Sequence, residues 1–517
     1  MRRADTVSIA REWMIVFAVA LAVYAATASR VVQWQDQALF LHVIYTRQVV
    51  SPLGLALTHA LHFWLGRAAL WVGIVEPPYA LALVSALGGA LAVANVYGCV
   101  RYVTGSRWAA VFAAASLGVA HTFWRLSTVI EVYTLSAALL AGECWCLAAF
   151  VRTRRAGWLW GTWLLNGLGV ANHLQGGLTS PVLLVVTLLA LSRRQVRLWE
   201  VVLAGALWIG GSLPWTMQVI AAGLAGGDWP TTLRSAFMGE QGRFGQSLLK
   251  VWPTRRTALE RVCSSALSFC SVPFPAAAYG MVRWRRLGID RLLVGSLLAG
   301  LVIHAFFAVR YNVVDQHTFF LPTYVLLTVF GGIGAAAVLA LPASVWRHRL
   351  VGAAAALLIA TPALYGLMPP VARHLRVLKN EERHKPYRDD YVYLFSPWGV
   401  QDTSCHLATT EAVRLAGPGG LILVEDPAFR AACRYQVLRM GCEGLEVRQL
   451  PASTPQASDR RLRVMEEALR AVEAGRGVVW VPESLGQRPP AGLSWRRAGD
   501  LYLAAGVATR PVSGEGT

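Results

Sequence analysis

Three carboxylates lie at the ends of long apolar runs. A charge placed in or beside a membrane costs free energy, so such residues are often functional. Asp36 follows the first run, Glu131 opens a later one and Asp315 follows another. Asn172 and His173 form a short turn between two further runs. A carboxylate near a substrate hydroxyl can accept its proton, and the neutral polar groups can orient a substrate. Each residue alone is also typical of a solvated loop, so the argument depends on their sharing one face of the protein.

The elements that must position these side chains are apolar runs long enough to cross the ~30 Å hydrocarbon core of a bilayer. Hydrophobic residues make up 55% of the 517 residues, charged residues only 15%, and the mean hydropathy is +0.45. This composition excludes an ordinary soluble enzyme and a disordered chain. The sequence instead predicts eleven spans, at residues 13–30, 78–100, 108–124, 132–151, 157–172, 175–191, 198–221, 262–282, 291–309, 319–341 and 350–368.

Arginine clusters indicate the orientation of these spans, because cytoplasmic loops carry an excess of basic residues. With the N-terminus inside, every compact arginine cluster falls on the cytoplasmic side. The same parity puts Asp36, Glu131, Asp315 and the Asn172–His173 turn on the outer face. The net charge of +19 is then mainly a topology signal and not a nucleic-acid surface. We expect a multi-pass protein of the plasma (inner) membrane whose N-terminus is cytoplasmic.

Beyond residue 370 the apolar runs give way to alternating helix and strand patterns. The sequence predicts a polytopic membrane domain at 1–370, a charged linker at 371–395 and an extracytoplasmic α/β domain at 396–517. The expected fold class is mostly α: about eleven transmembrane helices and a small C-terminal α/β domain in a periplasm or outside the cell. Cys405, Cys433 and Cys442 lie in this last domain, and Cys433–Cys442 is the disulfide that we favour.

The remaining polar residues narrow the chemistry. Glu143 falls in the middle of a span, which predicts a hydrogen bond to a neighbouring helix. His59 and His62 have no third ligand nearby in sequence, so no metal site is predicted. The chain has no phosphate-binding glycine loop and no metalloprotease or serine-hydrolase motif, so nucleotide-dependent chemistry has no support. Chemistry at the outer face must use a substrate that is already outside the cytoplasm. A lipid-linked sugar is such a substrate.

Five short segments follow one another through residues 30–325, most of the apolar part. They are Trp34–Asp36, Leu83–Gly88, Phe123–Trp124 with Glu131–Leu135, Gly167–His173, and Tyr311–Asp315 with Phe320–Pro322. In order and spacing these segments resemble the GT-C superfamily of polyprenol-linked glycosyltransferases. More narrowly, they resemble a family related to protein O-mannosyltransferases that was long described as a domain of unknown function.

This resemblance implies transfer of a sugar, mannose or a related hexose, from a polyprenyl-phosphate donor to a protein or cell-envelope glycan acceptor. It implies inversion at the sugar, and since the acceptor hydroxyl needs a base we expect Asp36 to be that base. Arg125 and Arg310 would bind the phosphate, since a guanidinium matches phosphate oxygens bidentately. No cofactor and no metal are implied. The other residues of the expected substrate site are Glu131, Tyr133, Asn172, His173, Tyr311 and Asp315.

One departure from the family pattern keeps other functions open. The family usually has a glutamate three residues after the first-loop aspartate, and this chain has Leu39 there. A membrane scaffold or lipid-glycan transporter that keeps the fold is one alternative. A glycan ligase that acts on a lipid-diphosphate carrier is another.

Overall fold

The computed structural model describes residues 3–50, 54–239, 247–248, 253–267, 273–313, 315–378, 384–442, 444–451 and 457–507. The chain divides into two compact units. The helical unit comprises Met1–Ala28, Arg47–Val75 and Ala80–Gly366. The α/β unit comprises Ser29–Thr46, Glu76–Tyr79 and Leu367–Thr517. The loop that follows the first apolar run, with Asp36, is therefore part of the α/β unit.

The described residues form helices of very different length. In chain order they are α1 (Arg3–Thr27), α2 (Asp36–Tyr45), α3 (Ala60–Val72), α4 (Pro77–Thr104), α5 (Arg107–Gly118), α6 (His121–Leu126), α7 (Tyr133–Thr153), α8 (Ala156–Asn172), α9 (Ser180–Ser192), α10 (Leu198–Gly226), α11 (Trp229–Met238), α12 (Arg255–Leu267), α13 (Pro273–Arg283), α14 (Arg291–Arg310), α15 (Leu321–Leu339), α16 (Val345–His374), α17 (Asp390–Phe395), α18 (Ser404–Ala416), α19 (Pro427–Met440) and α20 (Ser458–Glu473).

Eight helical segments of the described chain are long and apolar enough to cross a membrane. Each coincides with one of the eleven predicted spans. The eight segments are Ser8–Thr27, Pro77–Thr104, Tyr133–Thr153, Leu174–Ser192, Leu198–Gly226, Arg291–Arg310, Gln316–Leu339 and Val345–His374.

The other three predicted spans fall on shorter helices. The run 108–124 divides into α5 and α6, and the run 157–172 is the 17-residue helix α8. At 1.5 Å per residue, α8 is about 26 Å long, short of a full hydrocarbon core. The run 262–282 falls on α12 and α13, with residues 268–272 outside the described part.

Small residues let the helices of the helical unit pack closely, as is usual where backbones approach in membrane proteins. A Cβ atom on Gly167 of α8 would stand 2.2 Å from the carbonyl oxygen of Trp208 in α10. A Cβ atom on Gly334 of α15 would stand 1.9 Å from the carbonyl oxygen of Ala276 in α13. A larger side chain at either position would force the helices apart.

The α/β unit is built on a five-stranded sheet with strand order β2-β1-β3-β5-β4. β1 is parallel to both β2 and β3, while β5 is antiparallel to β3 and β4. β1 and β3 are buried along their whole length, which explains their uninterrupted apolar sequence. The final hairpin was not predicted from the sequence. The strands are β1 (Leu421–Val424), β2 (Glu446–Gln449), β3 (Val478–Val481), β4 (Leu493–Ala498) and β5 (Leu501–Val507).

The expected Cys433–Cys442 disulfide is wrong, since Cys405, Cys433 and Cys442 are all free thiols. Cys433 is buried inside α19, whereas Cys442 follows the end of that helix. The intervening helical rise separates the two residues by about 12 Å, which is beyond the Cα–Cα distance that a disulfide can bridge.

Candidate functional site

Two predicted site residues meet at the ends of two helices of the helical unit. Tyr133 is the first residue of α7, and its phenol donates a hydrogen bond to Asp315 Oδ2 over 3.3 Å. Asp315 precedes the 3-10 turn Gln316–Phe320, whose Thr318 donates its backbone N–H to the Asp315 carbonyl. The turn therefore fixes the aspartate in place to receive the phenol.

The ring of Phe319, in the same turn, contacts the rings of three predicted site residues. The ring lies 5.5 Å from that of Tyr133, 4.7 Å from that of Tyr311 and 5.7 Å from that of His173. Tyr311 also stacks on Phe307 at 5.3 Å. Sequence reasoning did not single out Phe319, although it lies one turn after Asp315. The aromatic contacts bring residues from three separate parts of the chain to one place.

Asn172 is fully buried and ties the end of α8 to the beginning of α7. Its Nδ2 donates to the carbonyl oxygen of Val132 at 2.8 Å and to Ser136 Oγ at 2.7 Å. The Asn172 carbonyl oxygen lies 2.9 Å from His59 Nδ1. The His59 ring in turn stacks on His173, with ring centroids 5.1 Å apart. Asn172 thereby positions the helix that begins with Tyr133.

Both of these histidines are held in the neutral form. Burial lowers the pKa of His59 to about 4, an effect that the hydrogen bond to the Asn172 carbonyl only partly offsets. Burial and the nearby His59 lower the pKa of His173 to about 3. His173 Nδ1 accepts a hydrogen bond from the backbone N–H of Gln175, so the ring proton resides on Nε2. His173 is thus a neutral donor near pH 7.

Glu131 is a buried residue fixed through its backbone. Ser85 Oγ in α4 accepts the Glu131 N–H at 2.9 Å and donates to the Glu131 carbonyl oxygen at 3.0 Å. Thr134 Oγ1 donates to the Ser85 carbonyl oxygen. Ser85 of the Leu83–Gly88 segment thus holds the Glu131–Leu135 segment in place where α7 begins.

Arg125 lies on the short helix α6 and is partly exposed. The charges of Arg125 and Asp315 both act on His317, at the 3-10 turn that follows Asp315. The helical unit therefore places a guanidinium and a carboxylate within electrostatic range of one imidazole.

Arg310, a predicted phosphate ligand, forms a hydrogen bond to the main chain. It is buried at the end of α14, and its Nη2 donates to the Leu248 carbonyl oxygen at 2.6 Å. Arg261 of α12, which sequence reasoning missed, donates to the Val309 carbonyl and to Asn312 Oδ1, each at 2.6 Å. Arg261 thus ties α12 to the residues on either side of the Arg310–Tyr311 pair, and Arg310 contacts the backbone of Leu248.

Asp36 is the first residue of α2 and is exposed. The residue before it, Gln35, has a φ of 60°, in the left-handed region that a non-glycine residue seldom adopts. Trp34 anchors the segment: its Nε1 donates to Ser404 Oγ at 2.7 Å, and its ring stacks on Phe429 at 4.9 Å. The α/β unit thus fixes the backbone from which Asp36 projects. The other eight predicted site residues belong to the helical unit.

Glu143 forms the hydrogen bond to a neighbouring helix that the sequence predicted. Its Oε2 accepts from Asn166 Nδ2 of α8 at 2.9 Å. Asn166 Nδ2 also donates to Thr179 Oγ1, while Asn166 Oδ1 accepts from Ser180 and Trp208. The carboxyl group is thus part of a polar network that joins four helical segments. Within the described ranges, no group of three or more His, Cys, Asp or Glu side chains could hold a metal ion.

Two solved structures share this fold over nearly its whole length. The crystal structure of ArnT from Cupriavidus metallidurans bound to undecaprenyl phosphate superposes with a TM-score of 0.58 and 15% sequence identity, covering 95% of this chain and 97% of that one. The apo ArnT structure gives a TM-score of 0.57 at 16% identity, covering 96% and 98%. No family model matches the chain, and no curated protein matches it in sequence.

The likeness to the ArnT structures bears on the fold class of this chain. The likeness confirms the predicted architecture of a polytopic helical part with a small α/β part. The narrower resemblance to the family related to protein O-mannosyltransferases has no support in these comparisons.

Proposed function

We propose that this chain is a membrane glycosyltransferase that uses a polyprenyl-phosphate-linked sugar as its donor. The observation that carries the proposal is the structural likeness, over 95% of the chain, to a glycosyltransferase crystallised with undecaprenyl phosphate. The Arg125, Asp315 and Tyr133 groups supply the polar contacts that such a donor needs. At 15% identity the likeness concerns the fold, so the chemistry rests on the residues of this chain.

In the proposed reaction the acceptor oxygen attacks the anomeric carbon of the sugar. The bond between that carbon and the phosphate oxygen breaks, and its electron pair leaves with the polyprenyl phosphate. The leaving group is already a stable anion, so no general acid is needed at that end. The acceptor proton passes to a base, and a single displacement inverts the anomeric configuration.

Asp36 is the proposed base. It is exposed, and the α/β unit fixes the segment that carries it, so it is available to a bound acceptor hydroxyl. The unusual backbone of Gln35 supports this role, because strained non-glycine residues concentrate at functional sites. Leu39 replaces the second carboxylate of the family pattern, which leaves Asp36 as the one carboxylate of that motif.

The helical unit is proposed to bind the donor. Arg125 pairs with the donor phosphate through charge-assisted hydrogen bonds. Arg310, the residue before Tyr311, contributes a second positive charge that favours the donor phosphate. The donor and acceptor are oriented by the group formed of Glu131, Tyr133, Asn172, His173 and Asp315.

We take the sugar, the acceptor and the orientation in the membrane from the sequence resemblance, as further parts of this proposal. The sugar is mannose or a related hexose, and the acceptor is a protein or a cell-envelope glycan outside the cytoplasm. The chain lies in the inner membrane with its N-terminus in the cytoplasm and the α/β unit on the other side. No cofactor and no metal are required.

Transfer by the purified chain tests the proposal. The chain in neutral detergent is incubated with polyprenyl-phosphate mannose, or with another polyprenyl-phosphate hexose, each labelled in the sugar, and with envelope extracts as acceptors. We expect label to move to an acceptor with inverted anomeric configuration. No transfer from any of the donors, together with movement of the intact lipid across reconstituted vesicles, would instead establish the transporter alternative.

A further inference from the structure

Helices α2 and α19 of the α/β unit lie side by side and run in the same direction. At one end the Trp34 ring, just before α2, stacks on Phe429 at 4.9 Å. At the other end the Tyr45 ring meets Tyr435 edge-on at 5.2 Å. His42 lies near the second contact on α2, and the residue is buried, with 7% relative exposure. We call the surface of α2 and α19 between these two aromatic contacts the strip.

Two arginines occupy this strip on α19. Arg430 and Arg434 are four residues apart and so project from the same side of the helix. The charges of both act on His42, so both lie within electrostatic range of its ring. Arg434 is exposed and Arg430 is partly buried, so the strip opens to solvent at Arg434.

Neither arginine has a carboxylate partner within the part of the chain that the structure describes. Their neighbours differ: Arg439 pairs with Glu76 at 2.5 Å, and Arg448 pairs with Glu446 and Glu467. Glu76, Glu446 and Glu467 are therefore already engaged by other arginines. Two like charges one helical turn apart repel each other unless an anion lies between them.

Buried polar atoms in the strip also lack partners. His42 Nδ1 and Arg430 Nε are both buried and form no hydrogen bond with any described residue. Buried donors are normally paired, because an unpaired donor loses its bonds to water without replacement. The two atoms belong to the same strip, so one ligand could satisfy both.

We propose that His42, Arg430 and Arg434 form a binding site for a phosphate monoester on the α/β unit. The two guanidinium groups supply charge and planar donors for phosphate oxygens, and the imidazole supplies a third donor at the buried end. The ligand is a lipid headgroup or a free phosphate. The site is independent of the proposed transferase activity, since its residues are outside the set that carries that proposal.

Protection of individual arginines from chemical modification tests the site without any variant. The full chain in neutral detergent is treated with phenylglyoxal, which modifies arginine, at increasing inorganic phosphate, and modified peptides are quantified by mass spectrometry. We expect phosphate to slow modification of Arg430 and Arg434. Arg463 and Arg470 are the internal control, because they are exposed on α20 of the same unit. Equal slowing at all four arginines would mean general screening and would overturn the proposal, as would no slowing.

Two variants sharpen the result. Arg434→Gln changes an exposed residue, and we expect it to raise the phosphate concentration that half-protects Arg430 about tenfold, which corresponds to the loss of one charge-assisted contact. Arg463→Gln removes the same charge from the same unit, and we expect no shift. An Arg434→Gln half-protection equal to that of the unaltered chain would refute the site.

A parallel titration identifies the source of the phosphate. Mixed micelles of phosphatidic acid present a phosphate monoester on a lipid, and phosphatidylcholine micelles are the control. Protection of Arg430 and Arg434 at lower concentrations of phosphatidic acid than of inorganic phosphate supports the site with a lipid headgroup as its ligand. Equal protection by both supports the site with free phosphate as its ligand.

Discussion

The phenol of Tyr133 and the carboxylate of Asp315 lie 3.3 Å apart although 182 residues separate them in the chain. One begins α7 and the other precedes α15, so their hydrogen bond joins the ends of two apolar helices. The two residues come from different sequence segments that resembled the same superfamily. Their contact shows that these two segments meet in the folded chain.

Replacing Tyr133 by phenylalanine removes this hydrogen bond and keeps the ring contacts with His173 and Phe319. A typical net hydrogen bond of about 1 kcal/mol corresponds to about a fivefold change in rate. We therefore expect kcat/KM for sugar transfer to fall about fivefold with little change in thermal stability. Tyr279→Phe is a matched control in the same unit, since its ring contacts Arg283. Equal rates for both variants and the unaltered chain would contradict a role for the Tyr133–Asp315 pair.

Replacing Arg125 by glutamine removes the positive charge that acts on His317. Charge-assisted hydrogen bonds contribute about 1.5–3 kcal/mol, so we expect KM for the polyprenyl-phosphate donor to rise at least about tenfold. Acceptor KM is expected to change little. Arg155→Gln, at an exposed position of the same unit, is the control. A donor KM that is the same in both variants would remove Arg125 from the phosphate site.

The network around Glu143 predicts a difference between two substitutions. Glu143→Gln retains an oxygen that can accept the hydrogen bond from Asn166, whereas Glu143→Ala removes it and leaves a cavity. We expect the alanine variant to lose about 2 kcal/mol more stability than the glutamine variant. Thermal unfolding in detergent measures this. A larger loss for glutamine would show that the ionised carboxylate itself is required.

His59 predicts a dependence of stability on pH. Burial lowers its pKa to about 4 in the folded chain from an ordinary value of 6.5. Below pH 6.5 the unfolded chain binds a proton that the folded chain does not, so stability is lost as the pH falls from 6.5 towards 4. His59→Gln keeps a donor for the Asn172 carbonyl and removes the titration. We expect its melting temperature to fall less between pH 7 and pH 5 than that of the unaltered chain; an identical fall would contradict the assignment.

The spans were predictable because the length of an apolar run is a local property. Where the prediction departed from the structure, local breaks decided the outcome: the run 108–124 divides after Gly118, and α8 has only 17 residues. The β4–β5 hairpin was missed because β4 carries polar residues and is only partly buried. Such edge strands have a weaker apolar pattern than β1 or β3.

From the sequence, the site could be predicted only as a set of polar residues at the ends of apolar runs. The contacts between these residues could not be predicted. Phe319 and Arg261 were missed, because an aromatic residue in a span and an arginine in a loop carry no signal of their long-range partners. The assignment of Asp36 to the α/β unit was also beyond the sequence. It depends on the contacts of Trp34 with Ser404 and Phe429, which lie about 370 and 395 positions further along the chain.

The central claim is that this chain transfers a sugar with Asp36 as the base. The most direct test compares initial transfer rates of the unaltered chain and Asp36→Asn, with labelled polyprenyl-phosphate sugar at saturating concentration. A positioned base contributes about 10²–10⁴-fold, so we predict a loss of that size with donor KM unchanged. Asp459→Asn, at an exposed position of the same unit, is expected to retain full activity. Transfer by Asp36→Asn at the rate of the unaltered chain would contradict the account.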